Sequence, residues 1–417
     1  MPLNPNTVLK LLFYSFFPFI MLFIFGCSSG RYAERSKIGS ALTESEVSDI
    51  RVLLEDKTEY YNYTIESPVV LMNEDTPIAV VKTGNRLNFS IDGSELLLNI
   101  AGKSFEGKYF RIKPEDSKSL LTFNGKVYRG TLKFIPESGK VKVINSVELE
   151  DYVKGVVPAE MPTGRGNEYF EALKAFAICA RTYAVNKFKG NGASFDVYLD
   201  TRDQVYGGVS AEKKISDRAV EETKNIILGY EGKPAIVYYH ASCGGHTEKA
   251  SNVFPVPDLP YLRGVKDGDP PNCSIAPNFS WEVTFPEKIF IKRLYEAGLI
   301  PDRDYSVVKV DAESRFESGR VNELLIVVNS RERYEKQIII KGNRIRYVLK
   351  PPGGGILRST LFNIFTDENN NVIVKGKGNG HGVGLCQWGA LHLSEEGRNY
   401  KSILSFYFPG TELMELR

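Results

Sequence analysis

Residues 145–188 read NSVELEDYVKGVVPAEMPTGRGNEYFEALKAFAICARTYAVNKF, and the fold turns on this stretch. In its second half Phe170, Leu173, Phe176, Ala177, Ala180 and Ala184 recur at helical spacing, which predicts a long helix with a small-residue stripe suited to tight packing. In its first half Asn145 and Ser146 offer a helix cap. Glu148 and Glu150 lie near the favourable end of the helix dipole, and Pro158 is expected to stop the helix after Val157. One carboxylate, Glu160, stands between Pro158 and Pro162 among apolar neighbours. Its nearest basic residues in sequence are Lys154 and Arg165, so burial without a partner would raise its pKa and suit it to giving and retaking a proton. The same residue also reads as an exposed acid on a proline-bounded turn, and the local sequence does not choose between the two.

Outward from this stretch the pattern is mixed. Upstream, short β-branched and apolar runs at 50–54, 68–72, 78–81, 87–91 and 95–100 predict strands, and 120–135 reads as a hairpin with Asn124-Gly125 at its turn. Downstream, helices are expected near 211–225 and 286–297 and strands near 235–239, 324–328 and 337–340. The fold class is therefore α+β: a mixed catalytic domain at 120–417 built on the Ala-rich helix, preceded by a β-rich N-terminal domain at 47–119.

The first residues are not read as fold. Lys10 precedes an uncharged apolar run at 11–25 that leads into Gly26-Cys27, the layout of a secretory signal over 1–26. The IFGC ending is similar to a bacterial lipobox, which implies lipid on Cys27, a tethering linker over 27–46 and a membrane-anchored position on the extracytoplasmic side of the cell envelope. Lys and Arg total 53 against 51 Asp and Glu, a net charge of +2 that gives no electrostatic case for a nucleic-acid partner.

Two further segments carry chemistry. In YYHASCGGHTE (238–248), His240, Cys243 and His246 join Cys273 of the later PPNCS turn in a Cys2His2 set of the kind zinc takes. A Cys243–Cys273 disulfide is the structural alternative, and the sequence leaves both open. In GNGHGVGLCQWGA (378–390), the glycines permit close backbone approach, while His381, Gln387 and Trp388 supply hydrogen bonding and stacking for a polar ring substrate. Arg181, beside the apolar stripe of the long helix, reads either as a surface residue or as a partner reaching across to a carboxylate.

Taken in order, NGKVYRG, INSVELEDYVKGVVPAEMP, EALKAFAICARTYAV, YHASCGGHTE, PYLRGVKD, LRSTLF and GHGVGLCQWGA resemble the sporulation protein D / LytB family of peptidoglycan-acting proteins. The resemblance spans roughly 120–409. It implies a lytic transglycosylase that cuts glycan strands stripped of stem peptides by a cell-wall amidase, with Glu160 as the catalytic acid and anhydro-muramyl ends as the product. Arg181, His381, Gln387 and Trp388 become the candidates for shaping the substrate site. The reaction so implied requires no cofactor; a structural zinc in the segment from His240 to Cys273 is what some relatives would suggest. Part of the family enhances amidases, so a glycan-binding or amidase-activating role is the alternative. Cys386 stands where the family usually carries serine.

Overall fold

The computed structural model describes residues 47, 49–116, 119–332 and 334–416; the expected signal segment, Cys27 and the linker lie outside them. Helix α1 runs Leu149–Glu160, shifted toward the C-terminus from the helix expected at 147–157. The shift has a tertiary cause at its start. Asn145, Ser146 and Glu148 belong to the strand Lys140–Glu148, which pairs antiparallel with Asp49–Thr58. Asn145 is fully buried there and donates its side-chain amide to the carbonyls of Arg129 (2.9 Å) and Thr131 (3.1 Å), so it caps no helix. At the other end, Pro158 lies inside the helix, because proline's fixed φ is itself helical and only one backbone donor is lost in the last turn. The helix stops one turn later, where Pro162 restricts the residue before it: Met161 is extended, with φ −116° and ψ 135°.

Helix α2, Phe170–Lys187, is the predicted Ala-rich helix, and it is buried nearly all round. Ala172, Ala175, Ala177, Ala180 and Ala184 let α1, α3 (Lys214–Glu221), and the strand Ile226–Tyr230 approach it closely. α3 is shorter than the expected 211–225.

Strands before and after residue 120 form two layers packed on each other. A seven-stranded sheet has the order 197–198, 49–58, 140–148, 131–137, 110–114, 69–73 and 76–81, and a four-stranded sheet has the order 60–64, 86–92, 95–100 and 103–107. They share a core in which Phe89 stacks on Phe134 with ring centroids 4.3 Å apart. The seven-stranded sheet takes strands from both sides of residue 120, so the N-terminal β segment and the helical region are joined through one sheet and one core. The hairpin Leu121–Phe123 with Lys126–Tyr128 turns at Asn124 and Gly125, both at positive φ, as the Asn-Gly signal predicts.

A second core, from Trp281 to Val374, stands apart from the first. It joins two three-stranded sheets, 280–285 with 372–377 and 362–366, and 305–315 with 321–330 and 335–341, to α4 (Glu287–Glu296) and α5 (Arg344–Val348). The chain then returns to the main core through α6 (Gln387–Glu395) and α7 (Tyr400–Tyr407), which pack on α2. The whole is α+β.

Candidate active site

Glu160 is the last residue of α1 and stays partly open to solvent. Three separate parts of the chain converge on its carboxylate. Oε1 accepts the backbone N–H of Val205 (2.8 Å) and the hydroxyl of Tyr239 (3.3 Å), and Oε2 accepts Nε2 of Gln387 (3.4 Å). Val205 comes from the loop that follows residues 197–198. Asp203 ties that loop down by accepting the N–H of Tyr198 (2.8 Å) and the hydroxyl of Tyr183 (2.8 Å) and pairing with Lys187 (2.9 Å). Tyr239 and Gln387 are placed together by one pairing: Tyr239–His240 runs parallel to Leu385–Cys386, and Gln387 follows as the first residue of α6. The ring of Phe176, on α2, meets Tyr239 edge-on at 4.7 Å and fixes its direction.

Burial raises the pKa of Glu160, and the Val205 N–H, Gln387 amide and Tyr239 hydroxyl each oppose the rise by bonding to the charged form. None of the three donors carries a charge, so the carboxyl is not pinned as an anion by an ion pair. It can be neutral enough to donate a proton and still be received by prepared donors once ionised. Tyr239→Phe removes one donor to the anion and is expected to raise the Glu160 pKa further. Following the Glu160 carboxyl by NMR across a pH titration checks this, and an unchanged or lowered midpoint would contradict it.

The remaining expected site residues divide. Gln387 reaches Glu160. His381 lies in an aromatic cluster with Tyr238, Phe254 and His240, its ring centroid 5.0 Å from that of Phe254. Its Nδ1 accepts the N–H of Val383 (3.0 Å), and burial holds the imidazole neutral, well below its usual pKa. Trp388 packs half-buried on the main core and donates its backbone N–H to Ala241 (3.0 Å). Arg181 is not brought to the site. It is fully buried and binds Glu150 through two bonds of 2.7 Å, with further bonds to the carbonyls of Ile226 (2.9 Å) and Val220 (3.4 Å). The guanidinium is thus consumed in joining α1, α2 and the strand Ile226–Tyr230.

The expected metal set is not brought together either. His240 Nδ1 bonds to the carbonyl of Val383 (3.0 Å), and His246 Nδ1 to its neighbour Thr247 (2.7 Å). Cys243 instead faces Cys273, Cys386 and Asp267, and their ligand atoms all lie within 4.8 Å of one another. Cys243 and Cys273 are free thiols with Sγ atoms 3.4 Å apart, so the alternative disulfide is absent from this structure.

The glycines of the C-terminal motif serve packing against the 238–243 segment and its supports. Gly384 has φ +74°, and a Cβ there would collide with the carbonyl of Tyr238. Gly382 has φ +86°, and a Cβ there would strike the guanidinium of Arg320. Arg320, on the turn between strands 305–315 and 321–330, is itself buried and donates to the carbonyls of His246 (2.7 Å) and Cys243 (2.5 Å). Sequence reasoning did not reach Val205, Tyr239 or Asp267. Tyr239 opens the YHASCGGHTE segment and Asp267 closes PYLRGVKD, so both sat within recognisable motifs; the Val205 contact is a backbone donor and has no residue signature.

The mixed α+β scaffold thus holds the half-buried Glu160 carboxyl by three uncharged donors. Residues 137–230, which contain Glu160, α2 and the Val205 loop, match the family described as stage II sporulation protein, and residues 272–384 match a domain of unknown function. The chain is 30% identical to stage II sporulation protein D of Bacillus subtilis over 68% of its own length and 81% of that relative. It belongs to the stage II sporulation protein D family. It is also 33% identical to an uncharacterized protein of Brachyspira hyodysenteriae, over 85% of this chain and 87% of that one. With the amidase enhancer of Bacillus subtilis it shares 29% identity over 79% of its length, spanning half of that longer relative.

Proposed function

We propose that the protein is a peptidoglycan lytic transglycosylase that cleaves glycan strands already stripped of stem peptides, leaving anhydro-muramyl ends. Membership of the stage II sporulation protein D family gives the chain a cell-wall-related role. The observation that carries the finer reading is the setting of Glu160: a single carboxyl, raised in pKa by burial, with three uncharged donors on its oxygens. The neutral acid gives its proton to the glycosidic oxygen as the bond from N-acetylmuramic acid breaks. The 6-hydroxyl of the same sugar then attacks the anomeric carbon, and its proton returns to the Glu160 carboxylate, restoring the acid. Because the attacking hydroxyl belongs to the substrate, no second carboxylate is needed to activate water, unlike the two-acid glycosidases. Val205, Tyr239 and Gln387 hold the carboxylate oriented between the two transfers.

His381 and Trp388 enter as walls of the sugar site on the family resemblance alone, since the bonds to the Glu160 carboxylate come from Val205, Tyr239 and Gln387. Lipid on Cys27 would tether the protein at the extracytoplasmic face; incorporation of labelled fatty acid that persists in Cys27→Ser would refute the tether. The amidase enhancer relative favours a second reading, in which the chain binds glycan and activates a cell-wall amidase without cutting. The two separate when peptide-free glycan strands are incubated with the protein alone: strand cleavage without an amidase supports the enzyme. Binding without cleavage, together with a faster added amidase, supports the activator.

A further inference from the structure

Cys243, Cys273, Cys386 and Asp267 arrive from three regions far apart in sequence, and all four are fully buried. Their sulfur and carboxylate atoms lie mutually within 4.8 Å, and the Cys243 and Cys273 sulfurs are 3.4 Å apart. A tetrahedral zinc with Zn–S bonds of about 2.3 Å sets its sulfurs roughly 3.8 Å from one another, between the 3.4 Å of the Cys243–Cys273 pair and the 4.8 Å that bounds the set, so small side-chain adjustments complete such a cage. Backbone N–H groups point at sulfur, from Cys243 to Cys386 Sγ (3.2 Å) and from Gly245 to Cys243 Sγ (3.4 Å). Asp267 is oriented by the hydroxyl of Tyr407 on Oδ1 (2.6 Å) and the N–H of Cys273 on Oδ2 (2.9 Å), the kind of outer contact that fixes a ligating carboxylate. The buried Arg320 guanidinium, bonded to the Cys243 carbonyl, adds positive charge beside a site whose four ligands are anionic.

We infer that Cys243, Cys273, Cys386 and Asp267 form a structural site for a thiophilic divalent cation, zinc foremost, and that His240 and His246 are not among its ligands. Four protein ligands close the coordination sphere, so the ion is structural and leaves no position for a reacting water. Its place in the fold gives it a task that does not depend on which reaction the protein performs. Cys386 directly precedes Gln387, and Cys243 follows the strand that carries Tyr239. The ion would therefore brace the pairing that sets these two donors on Glu160.

The test uses the full chain purified under reducing conditions, loaded with zinc or cobalt(II) and desalted. One zinc per chain by elemental analysis is expected, and the cobalt form is expected to show tetrahedral ligand-field bands with a thiolate charge-transfer intensity matching three sulfurs. Cys386→Ser should weaken cobalt binding beyond the roughly 10–100-fold cost of losing an outer contact and reduce that intensity by one sulfur. His246→Ala should leave both unchanged. If Cys386→Ser does not fold, the wild-type cobalt spectrum still decides, because the histidine-containing set predicts two sulfurs. No retained metal, a two-thiolate spectrum, loss of binding in His246→Ala, or a Cys243–Cys273 disulfide in the reduced-purified chain would each overturn the assignment.

Discussion

Glu160→Gln is expected to lower turnover of peptide-free glycan strands by about 10²–10⁴-fold, the contribution of a positioned general acid and base. The amide keeps the shape of the side chain and can still accept from Val205 and Tyr239 through its carbonyl oxygen, but it has no acidic proton to deliver. Binding of the strands should survive. The same substitution also reports on the electrostatics. The native pKa of Glu160 is raised by burial, so the folded state holds the proton more tightly than the unfolded chain. The stability this contributes is present below the unfolded-state pKa and is lost as pH rises through the higher native value. Above that native value the wild type therefore carries a desolvation penalty that the Glu160→Gln variant avoids. Thermal unfolding should show the variant gaining relative to wild type as pH increases across that window and then keeping a constant advantage. A variant that is inactive and less stable at every pH would mean that activity was lost through misfolding.

Arg181→Met is expected to destabilise the protein by about 3–5 kcal/mol, the cost of leaving one member of a buried ion pair alone. Glu150, nearly as buried as its partner, would lose both 2.7 Å bonds and keep only the weaker contact from the N–H of Asn225 (3.2 Å). The carbonyls of Ile226 and Val220 would lose their donor as well. Because none of these groups touches Glu160, the folded fraction of Arg181→Met should bind glycan as wild type does. Chemical denaturation measures the first part and glycan binding below the unfolding transition measures the second. A stable protein with weakened glycan binding would return Arg181 to the substrate site.

Arg181 also shows where sequence reasoning stops. The residue is visible as a charge beside an apolar helix face, but its partner lies on a different helix, and no periodicity links Arg181 to Glu150. The Ala-rich stripe of α2 is legible because helical spacing and small size are local properties. The end of α1 is legible in kind, as a proline stop, but misplaced, because Pro158 fits a last helical turn and Pro162 acts through Met161. The start of α1 is masked by sheet pairing with 49–58, since a capping residue that is needed inside a strand caps nothing. At the site, Glu160 and Gln387 can be picked out from their motifs. The contact between them depends on the parallel pairing of 239–240 with 385–386, a non-local event that the order of motifs does not encode. The same pairing brings Cys386 within reach of the Cys243 N–H (3.2 Å), and a separate backbone bond from Asp267 to Gly245 (3.0 Å) brings Asp267 there, so the residues gathered around Cys243 are not the ones that spacing along the chain suggests.

Cleavage driven by one acid, Glu160, with the substrate's own hydroxyl as nucleophile can be read from the ends it leaves. The decisive measurement is mass spectrometry of peptide-free glycan strands digested by the protein alone. Anhydro-muramyl ends are expected with wild type and none with Glu160→Gln. Reducing muramic acid ends, which require water, or anhydro products that persist in Glu160→Gln, would contradict the single-acid mechanism.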